Sequence, residues 1–417
     1  MGEVIDNLKI KRKLTSLNQM PLNDIWDLIK SNDFTLKEME EAGIAPDLLY
    51  ELKGKQKRAD EDIIMQQKNA EAASKEKENQ KLEAESKEAE LSKICRAIED
   101  GVHGAEDIQK KMNEYPNLED YLIQNSVLTK ELIGRIKNYS KVSTAFTSWE
   151  KTPPLESNRT DIFFFGQPGS GKSCVLASLF YYFEKTGIMM ANMTNPIGVE
   201  YRNQLIDEIS SGILPDGTEK DKLNFIPIEL RNKTNRKITH PLNFIEMSGE
   251  LFKEAARDGL GNQDLLKLKG YLNNGNRKLI FFVLDYHQHS NKIGGHNQSR
   301  FTDFLEWLDL NSILDKTDGI YILLTKADLF PKNEDPKIYA SKFLDSEFLN
   351  FKENVQEKKA KYRDQFKIIL FPYSIGTVKF KDILLTLDQE YPSFITDAIM
   401  KHSFVKKKSF FDKLFKN

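Results

Sequence analysis

Residues 166–173 read Gly166-Gln167-Pro168-Gly169-Ser170-Gly171-Lys172-Ser173. They fit the pattern G-x-x-x-x-G-K-[ST], which is the strongest indication of the fold in this sequence. An apolar run, 161–165 (DIFFF), precedes the stretch, and a helical pattern starts near Lys172. The glycines allow the backbone to curl so that successive N–H groups point at phosphate oxygens, and the start of the helix adds a favourable dipole. Lys172 is expected to bridge the β- and γ-phosphates, and the Ser173 hydroxyl to ligate Mg²⁺. The stretch therefore predicts a phosphate-binding loop between a strand and a helix.

Short apolar segments alternate with helical patterns from residue 160 onward, which is typical of an α/β domain. A polar loop rich in Asn, Lys and Arg joins two of these segments, and it predicts an antiparallel hairpin within an otherwise parallel sheet. We expect a mixed sheet in a domain over 155–400 that closes with a helix near 380–400. The predicted strands are 161–165, 223–230, 241–246, 279–285, 320–324 and 367–371.

The chain of 417 residues is too long for one ordinary domain, and its composition is that of a globular protein with strongly solvated segments. The formal net charge of −2 argues against a general nucleic-acid-binding protein, because such domains carry a basic excess. The two cysteines, Cys95 and Cys174, provide no disulfide framework and indicate a reducing compartment. The first residues lack the apolar core of a signal peptide, and no apolar run reaches the roughly 18 residues that cross a bilayer. These features predict a cytoplasmic protein.

The residues ahead of the α/β domain have all-α patterns. In a first predicted helical unit, 1–53, apolar side chains recur at helical spacing. A related pattern returns in a second predicted unit, 91–145. Residues 54–90 between the units are rich in Lys, Glu, Ala and Gln, and this composition favours an exposed, charged helical spacer over a coiled coil.

A second motif, Glu246-Met247-Ser248-Gly249-Glu250, stands at the end of the predicted strand 241–246. It resembles the D-x-x-G motif that follows the third strand in the translation-factor class of P-loop GTPases. The resemblance implies that Gly249 contacts the γ-phosphate through its backbone N–H and that Glu250 positions the attacking water. It also implies that Glu246 supports Mg²⁺ through water. This acid is one methylene longer than the usual Asp, so the geometry of the metal site must adjust.

A third motif, Thr325-Lys326-Ala327-Asp328, follows the predicted strand 320–324 and resembles the [NT]-K-x-D guanine-recognition motif of the same class. A carboxylate can accept hydrogen bonds from N1–H and from the exocyclic amine of guanine, whereas adenine offers no such pair. On this resemblance Asp328 accepts those bonds, and the Lys326 stem packs along the base. Ser374 and Ile375 follow strand 367–371, where the class has a loop whose backbone amide contacts guanine O6.

The resemblance covers a little over half of the chain and implies GTP or GDP as the ligand and Mg²⁺ as the cofactor. The nucleotide contacts would come from 166–174, including Cys174 as a small residue inside the helix, and from the base motifs. The metal ligands would be Ser173, Glu246 and Thr218, which precedes the predicted strand 223–230; Thr194 is the alternative to Thr218. The order of the motifs is similar to that of divergent bacterial GTPases found in biological-conflict gene clusters.

The implied reaction is in-line attack of a positioned water on the γ-phosphate, with Lys172 and backbone amides stabilising the developing charge. The sequence assigns no arginine to this reaction: Arg202, Arg231 and Arg257 are all candidates, and a partner protein is the alternative source. We therefore expect slow hydrolysis by a molecular switch that acts through its N-terminal helical region on a partner protein.

Two alternatives to this interpretation stay open. Asp285 ends strand 279–285 as the metal acid of a P-loop ATPase would, and in that case the match at 325–328 is accidental. The other alternative is a scaffold that binds nucleotide without significant turnover and works through its helical units.

Two further features are conspicuous in the sequence. The histidines His287, His289 and His296 have no Cys or acid at ligand spacing, so they do not predict a metal site. The tail 401–417 interleaves Phe with Lys, which is typical of contact with an anionic membrane or a partner, and equally of a frayed basic end.

Overall fold

The computed structural model describes residues 19–31, 34–41, 43–138, 147–148, 154–218, 222–258, 263–287, 297–363, 365–379 and 381–407. The chain forms two compact units, residues 1–92 and 93–417. None of the helices among the described residues combines the length and the hydropathy that a membrane span requires.

The first unit is helical. It contains α1 (Leu22–Lys30), α2 (Leu36–Glu41) and most of α3 (Pro46–Glu99). Thr35 caps α2 through a reciprocal pair of bonds, because its backbone N–H donates to Glu38 Oε2 at 2.8 Å and its hydroxyl accepts from the Glu38 N–H at 3.3 Å. A small apolar core closes around Ile25, Met39, Ile44 and Leu52. Residues 54–90 are helical within α3, and nearly all of their side chains are exposed.

The second unit begins with the last residues of α3, which are followed by three short helices, α4 (Ala105–Glu114), α5 (Leu118–Gln124) and α6 (Lys130–Asn138). Their buried residues lie at helical spacing, as an amphipathic face requires. These residues are Ala105, Ile108, Met112, Leu118, Leu122, Leu132, Ile133 and Ile136.

Nine strands of the described part of the chain form one mixed sheet. Seven follow the order β1-β4-β5-β2-β6-β7-β8, with β3 beside β4 and β11 beside β5. Their bounds are β1 (Thr147–Ser148), β2 (Thr160–Phe165), β3 (Met189–Ala191), β4 (Lys222–Arg231), β5 (Ile238–Met247), β6 (Arg277–Asp285), β7 (Thr317–Thr325), β8 (Lys367–Tyr373) and β11 (Lys406–Lys407). A separate hairpin pairs β9 (Gly376–Lys379) with β10 (Ile383–Leu387).

The order and direction of the strands confirm the predicted mixed α/β sheet. β2, β5, β6, β7 and β8 run parallel, whereas β4 runs antiparallel to β5 with Phe225 opposite Ile245. The predicted hairpin of 223–230 and 241–246 is therefore present. The predicted helix near 380–400 is wrong over its first part, because residues 383–387 are a strand and the helix begins only at Glu390.

Helices cover both faces of the sheet, so its central strands are apolar on both sides. Phe163 and Phe165 of β2 pack in one core, while Ile162 and Phe164 pack in the other, as alternation along a strand requires. The first core involves α9 (Gly249–Asp258), α10 (Gln263–Leu272), α11 (Asn297–Leu310), α12 (Pro336–Glu347) and α13 (Leu349–Lys361). The second involves α7 (Lys172–Lys185), α8 (Pro196–Ser210) and α14 (Glu390–His402).

Candidate functional site

The loop 166–173 joins the end of β2 to the start of α7, as the sequence predicts. Gly171 has a φ of 90°, a left-handed conformation that favours glycine. The Lys172 ammonium is buried and donates to the backbone oxygens of Gly166 at 2.9 Å and Gln167 at 3.1 Å. Burial lowers the pKa of Lys172 to about 8, against the attraction of Glu246 and Glu250. The loop therefore holds a cation against its own backbone, where an incoming phosphate would exchange for the carbonyl contacts.

Three predicted metal ligands meet at one carboxylate oxygen. The Ser173 hydroxyl donates to Glu246 Oε1 at 2.5 Å, and the Thr218 hydroxyl donates to the same oxygen at 2.9 Å. The two hydroxyl oxygens lie 3.4 Å apart. Hydroxyl and carboxylate oxygens are ligands that suit Mg²⁺, so this donor set fits the cation that the motifs imply. Thr194, the alternative to Thr218, is exposed and does not line the cavity beside these residues.

Tyr201 of α8, which is not predicted from the sequence, completes this cluster. Its hydroxyl donates to Glu246 Oε2 at 2.5 Å, so both carboxylate oxygens of Glu246 are engaged. Burial, together with the charge of Glu246, raises the pKa of Tyr201 well above its usual value and keeps the hydroxyl protonated as a donor. No motif marks Tyr201 in the sequence, because its role depends on how α8 packs against the sheet.

Gly249 lies against the phosphate-binding loop at the first position of α9. A Cβ at this position would lie 2.3 Å from the backbone N of Pro168 and 2.6 Å from the carbonyl carbon of Gln167. Only glycine permits this approach, so the Gly249 backbone lies directly against the phosphate-binding loop; its contact with a γ-phosphate stays a prediction. Glu250 follows at the edge of the same cavity, and its carboxylate lies 4.0 Å from the Lys253 ammonium.

The phosphate-binding loop opens into a cavity of about 690 Å³. Lys172 and Ser173 lie at its base, and Gly249 and Glu250 line one side. Residues of three other segments complete the lining: Gly104, Glu106 and Asp107 at the start of α4, Leu214 to Thr218, and Lys381 and Asp382 between β9 and β10. The predicted helical unit 91–145 therefore contributes residues to the cavity beside the phosphate-binding loop.

Asp382 links the start of α4 to the segment that carries Thr218. Its carboxylate Oδ1 accepts from the Ala105 N–H at 2.9 Å, and its backbone oxygen accepts from the Leu214 N–H at 2.8 Å. The next strand, β10, continues the contact, because the Leu384 N–H donates to the Gly212 oxygen at 2.8 Å. The β9–β10 hairpin thus touches both the helical unit and the segment 212–218.

Four of the predicted base-recognition residues, Thr325, Lys326, Asp328 and Ile375, line a second cavity of about 380 Å³. The Ser374 hydroxyl donates to Asp328 Oδ1 at 2.9 Å and so fixes the carboxylate that the sequence assigns to guanine. The Thr325 hydroxyl donates to the Ser170 backbone oxygen at 2.9 Å, which connects the base motif to the phosphate-binding loop. Ile375 is buried in the wall of this cavity. The [NT]-K-x-D motif and the loop after β8 are therefore brought together.

The two cavities adjoin, because Gly171, Cys174, Leu214 and Lys381 line both of them. Burial raises the pKa of the Cys174 thiol to about 12, with a smaller contribution from Glu246, so this side chain is neutral. Together the two cavities form one continuous site, and we call its two ends the phosphate side and the base side after the predicted motifs that line them.

Asp285, the metal acid of the ATPase alternative, pairs with a lysine and not with the hydroxyl of Ser173. Its carboxylate is buried and forms an ion pair of 2.7 Å with the Lys326 ammonium. Glu246, and not Asp285, receives the hydrogen bond of Ser173. Ser173 of the loop 166–173 therefore contacts the acid of β5, while the acid of β6 contacts Lys326.

Of the three histidines noted in the sequence, one, His287, is among the residues that the structure describes. His287 lines the base-side cavity, while His289 and His296 lie outside the described residues. Among the residues that the structure describes, no three His, Cys, Asp or Glu side chains form a metal-binding group.

The arginine candidates do not line the phosphate cavity with their described side chains. The Arg202 guanidinium is buried and bonds to Asn203 Oδ1 at 2.8 Å, and Arg231 lies at the end of β4. The side chain of Arg257 lies outside the described part of the chain. Arg300 of α11, which is not among the arginines considered from the sequence, donates to Gln167 Oε1 at 2.8 Å and so contacts the phosphate-binding loop without lining the cavity.

No protein-family model matches the sequence, and no curated protein is significantly similar to it. Among solved structures, the signal recognition particle receptor SRb-GTP/SRX complex from Chaetomium thermophilum is 13% identical, with a TM-score of 0.35, and covers 58% of this chain and 99% of its own. Toc33 from Arabidopsis thaliana in complex with GDP and Mg²⁺ is 15% identical, with a TM-score of 0.32 and coverages of 60% and 88%. The GTPase-like domain of S. cerevisiae Ski7, bound to GDP and inorganic phosphate, is 16% identical, with a TM-score of 0.30 and coverages of 58% and 49%.

Each of these three distant structures contains GTP or GDP, and that of Ski7 is a GTPase-like domain. Their low identities and TM-scores assign no function to this chain, and the resemblance to conflict-cluster GTPases stays a prediction. The fold itself follows from the loop between β2 and α7 and from the strand order. The chain has a mixed α/β fold of the P-loop nucleoside triphosphatase kind, with one antiparallel hairpin and a helical N-terminal region.

Proposed function

We propose that the chain is a guanine-nucleotide-binding switch that hydrolyses GTP slowly with Mg²⁺ and acts through its helical region on a partner protein. The observation that carries the proposal is the joining of the phosphate-binding loop to a base-side cavity at which Ser374 fixes Asp328. A fixed carboxylate accepts the two adjacent donors of guanine, and adenine cannot supply them. The ATPase alternative is less well supported, because Asp285 pairs with Lys326 while Ser173 bonds to Glu246.

The phosphate side supplies charge and orientation for hydrolysis. Lys172 would leave its carbonyl partners for the phosphates, and the Gly249 N–H would contact the γ-phosphate. Glu250 at the cavity edge would accept a proton from the attacking water and orient it. Ser173, Thr218 and Glu246 would hold Mg²⁺, which when bound neutralises part of the phosphate charge.

Slow turnover is proposed because the phosphate cavity lacks an arginine among the residues described around it. In related chemistry an arginine that stabilises the transition-state charge raises the rate by about 10³ to 10⁵. A partner that supplies this cation would make hydrolysis depend on the complex, which suits a switch better than bulk turnover.

Action through the helical region is supported by the contact at Asp382. The start of α4 and the segment 212–218 both bond to the β9–β10 hairpin. Thr218 lies in that segment and bonds to Glu246. A displacement of Thr218 on metal or nucleotide binding would therefore be transmitted through the segment 212–218 and Asp382 to α4. A partner bound to the helical unit would then respond to the nucleotide state.

The Glu250→Ala variant tests the catalytic part of the proposal. Because Glu250 lines the cavity and does not belong to the phosphate-binding loop, the variant should bind GTP within about twofold of the parent. Loss of general-base assistance should slow single-turnover hydrolysis by about 10² or more. The measurement uses protein in excess over labelled GTP, because intrinsic turnover is expected to be slow.

Glu254→Ala, one helical turn further along α9, is the matched control and should hydrolyse at the parental rate. Parental hydrolysis by Glu250→Ala would remove Glu250 from the mechanism. A parent that binds GTP and shows no single-turnover hydrolysis would favour the scaffold alternative.

A further inference from the structure

A strongly basic loop connects β4 to β5. The sequence 231–237 (RNKTNRK) contains four cations and no acid, whereas the whole chain has a net charge of −2. The side chains of Arg231, Lys233, Arg236 and Lys237 are all exposed. Lys233 pairs with Asp397 at 2.9 Å, and the structure shows no carboxylate partner for the other three among the described residues. Positive charge is therefore concentrated at one end of the hairpin.

The segment after α14 is fixed beside this loop. The Ser403 hydroxyl lies 2.9 Å from His240 Nδ1, and the Phe404 N–H donates to the Thr160 hydroxyl at 2.7 Å. Lys406 and Lys407 then form β11 against β5, opposite Thr239 and Ile238, which directly follow Lys237. These contacts bring a second set of lysines to the basic loop.

Apolar side chains accompany the charges at this place. Phe404 is 44% exposed and Val405 is 39% exposed, although both are large hydrophobic residues. We define the basic face as Arg231, Lys233, Arg236, Lys237, Phe404, Val405 and Lys406. Beyond it the sequence repeats the same mixture, with Lys408, Phe410, Phe411, Lys413, Phe415 and Lys416.

We propose that the basic face binds the surface of a bilayer that contains anionic phospholipids. Clustered Lys and Arg side chains are attracted to anionic headgroups, and the attraction rises with the number of cations. Exposed aromatic and aliphatic side chains between them enter the boundary between headgroups and acyl chains. An acidic protein or a duplex nucleic acid would use the cations and leave Phe404 and Val405 in water. A single-stranded nucleic acid can stack a base on Phe404 but gains nothing from the aliphatic Val405, so the mixture favours a lipid surface.

The basic face lies at the amino ends of the strands β2 and β5, whereas the proposed nucleotide site lies at their carboxyl ends. β5 and β2 are parallel, and their carboxyl ends carry Glu246 and the phosphate-binding loop. Their amino ends carry Thr239 and Thr160, which hold Lys406 and Phe404. From Thr239 to Glu246 the strand spans roughly 23 Å. A membrane on the basic face therefore leaves the nucleotide cavity open, and the proposal is independent of which nucleotide binds there.

Vesicle flotation tests the proposal. The full chain should float with phosphatidylcholine vesicles that contain phosphatidylserine and stay behind with phosphatidylcholine alone. The Arg236→Glu/Lys237→Glu variant should bind the anionic vesicles at least about tenfold more weakly, because each reversed cation turns an attraction into a repulsion. Phe404→Ser should weaken binding even at a salt concentration that screens the charges.

The control variant Lys130→Glu/Lys332→Glu makes the same change in net charge at two exposed lysines outside the basic face. It should bind the vesicles as the parent does, and GDP affinity should be the same in all variants. Absence of binding by the parent, equal binding by the Arg236→Glu/Lys237→Glu variant, or an equal loss in the control would overturn the proposal. So would tighter binding of the basic face to single-stranded RNA than to the anionic vesicles.

Discussion

At the scale of single residues, the Glu246 carboxylate connects three elements of the site. Oε1 accepts from Ser173 of α7 and from Thr218, while Oε2 accepts from Tyr201 of α8. The side chain is one methylene longer than the Asp of the motif that it resembles. Tyr201 explains how the longer side chain is held, because it fixes the oxygen that the metal side does not use.

The Tyr201→Phe variant removes this hydroxyl and keeps the ring. A hydrogen bond to a charged group contributes about 1.5 kcal/mol or more, so the Mg²⁺ concentration needed for tight GDP binding should rise about tenfold. GDP binding without Mg²⁺ should change little. Fluorescent GDP titrated against Mg²⁺ measures both quantities. Tyr321→Phe is the control, since the Tyr321 hydroxyl bonds to His402 at 2.6 Å outside the site; an equal Mg²⁺ effect in both variants contradicts a specific role for Tyr201.

Lys172 should give the binding of nucleotide a pH dependence. Burial lowers the pKa of Lys172 to about 8 in the free protein, and a bound phosphate favours the protonated amine and raises it again. Binding therefore takes up a proton above about pH 8, and GDP affinity should fall as the pH rises from about 7.5 to about 8.5. Calorimetry measures the affinity and the proton uptake. Lys172→Ala should bind at least about tenfold more weakly and lose the proton uptake; uptake that persists in this variant assigns it to another group.

At the scale of elements, the β9–β10 hairpin is where the structure departs from the sequence prediction, because residues 383–387 form a strand and not a helix. The run 383–387 (ILLTL) is compatible with a buried helix segment as well as a strand, and periodicity alone does not separate them. Its strand form is selected by distant partners, since Ile383 bridges to Ile213 and Leu384 bonds to Gly212. Such pairing cannot be inferred from local sequence.

The Asp382→Ala variant tests whether the hairpin couples α4 to the segment 212–218. Losing the acceptor for the Ala105 N–H removes a helix cap, so α4 should become less protected from hydrogen exchange by about 1 kcal/mol. The difference in α4 protection between the GDP and GTP states should also disappear. Asp335→Ala removes the cap of α12, where Asp335 Oδ1 accepts from the Lys337 N–H at 2.8 Å, and should leave that difference in place. A nucleotide-dependent difference that survives in Asp382→Ala contradicts the coupling.

At the scale of the whole molecule, the sequence predicts the parts of the site that stand at strand ends. The phosphate-binding loop, Glu246 and the motif 325–328 each stand at the carboxyl end of a strand, and parallel strands bring these ends to one edge of the sheet. Tyr201, Asp382 and Arg300 escaped prediction because each acts on a residue far away in the chain. Local motifs therefore predict the candidate ligand-binding residues, whereas the residues that hold them in position depend on tertiary packing.

The proposed function depends on selection of guanine by Asp328. This selection is measured by calorimetry of the parent and of Asp328→Asn with GDP, xanthosine diphosphate and ADP, all in Mg²⁺. An amide presents a donor where the carboxylate accepts, so the variant should lose GDP affinity by about tenfold or more and gain affinity for the xanthine nucleotide. The parent should bind GDP far more tightly than ADP. Equal affinity of the parent for GDP and ADP, or a variant that still prefers GDP over xanthosine diphosphate, would contradict the account.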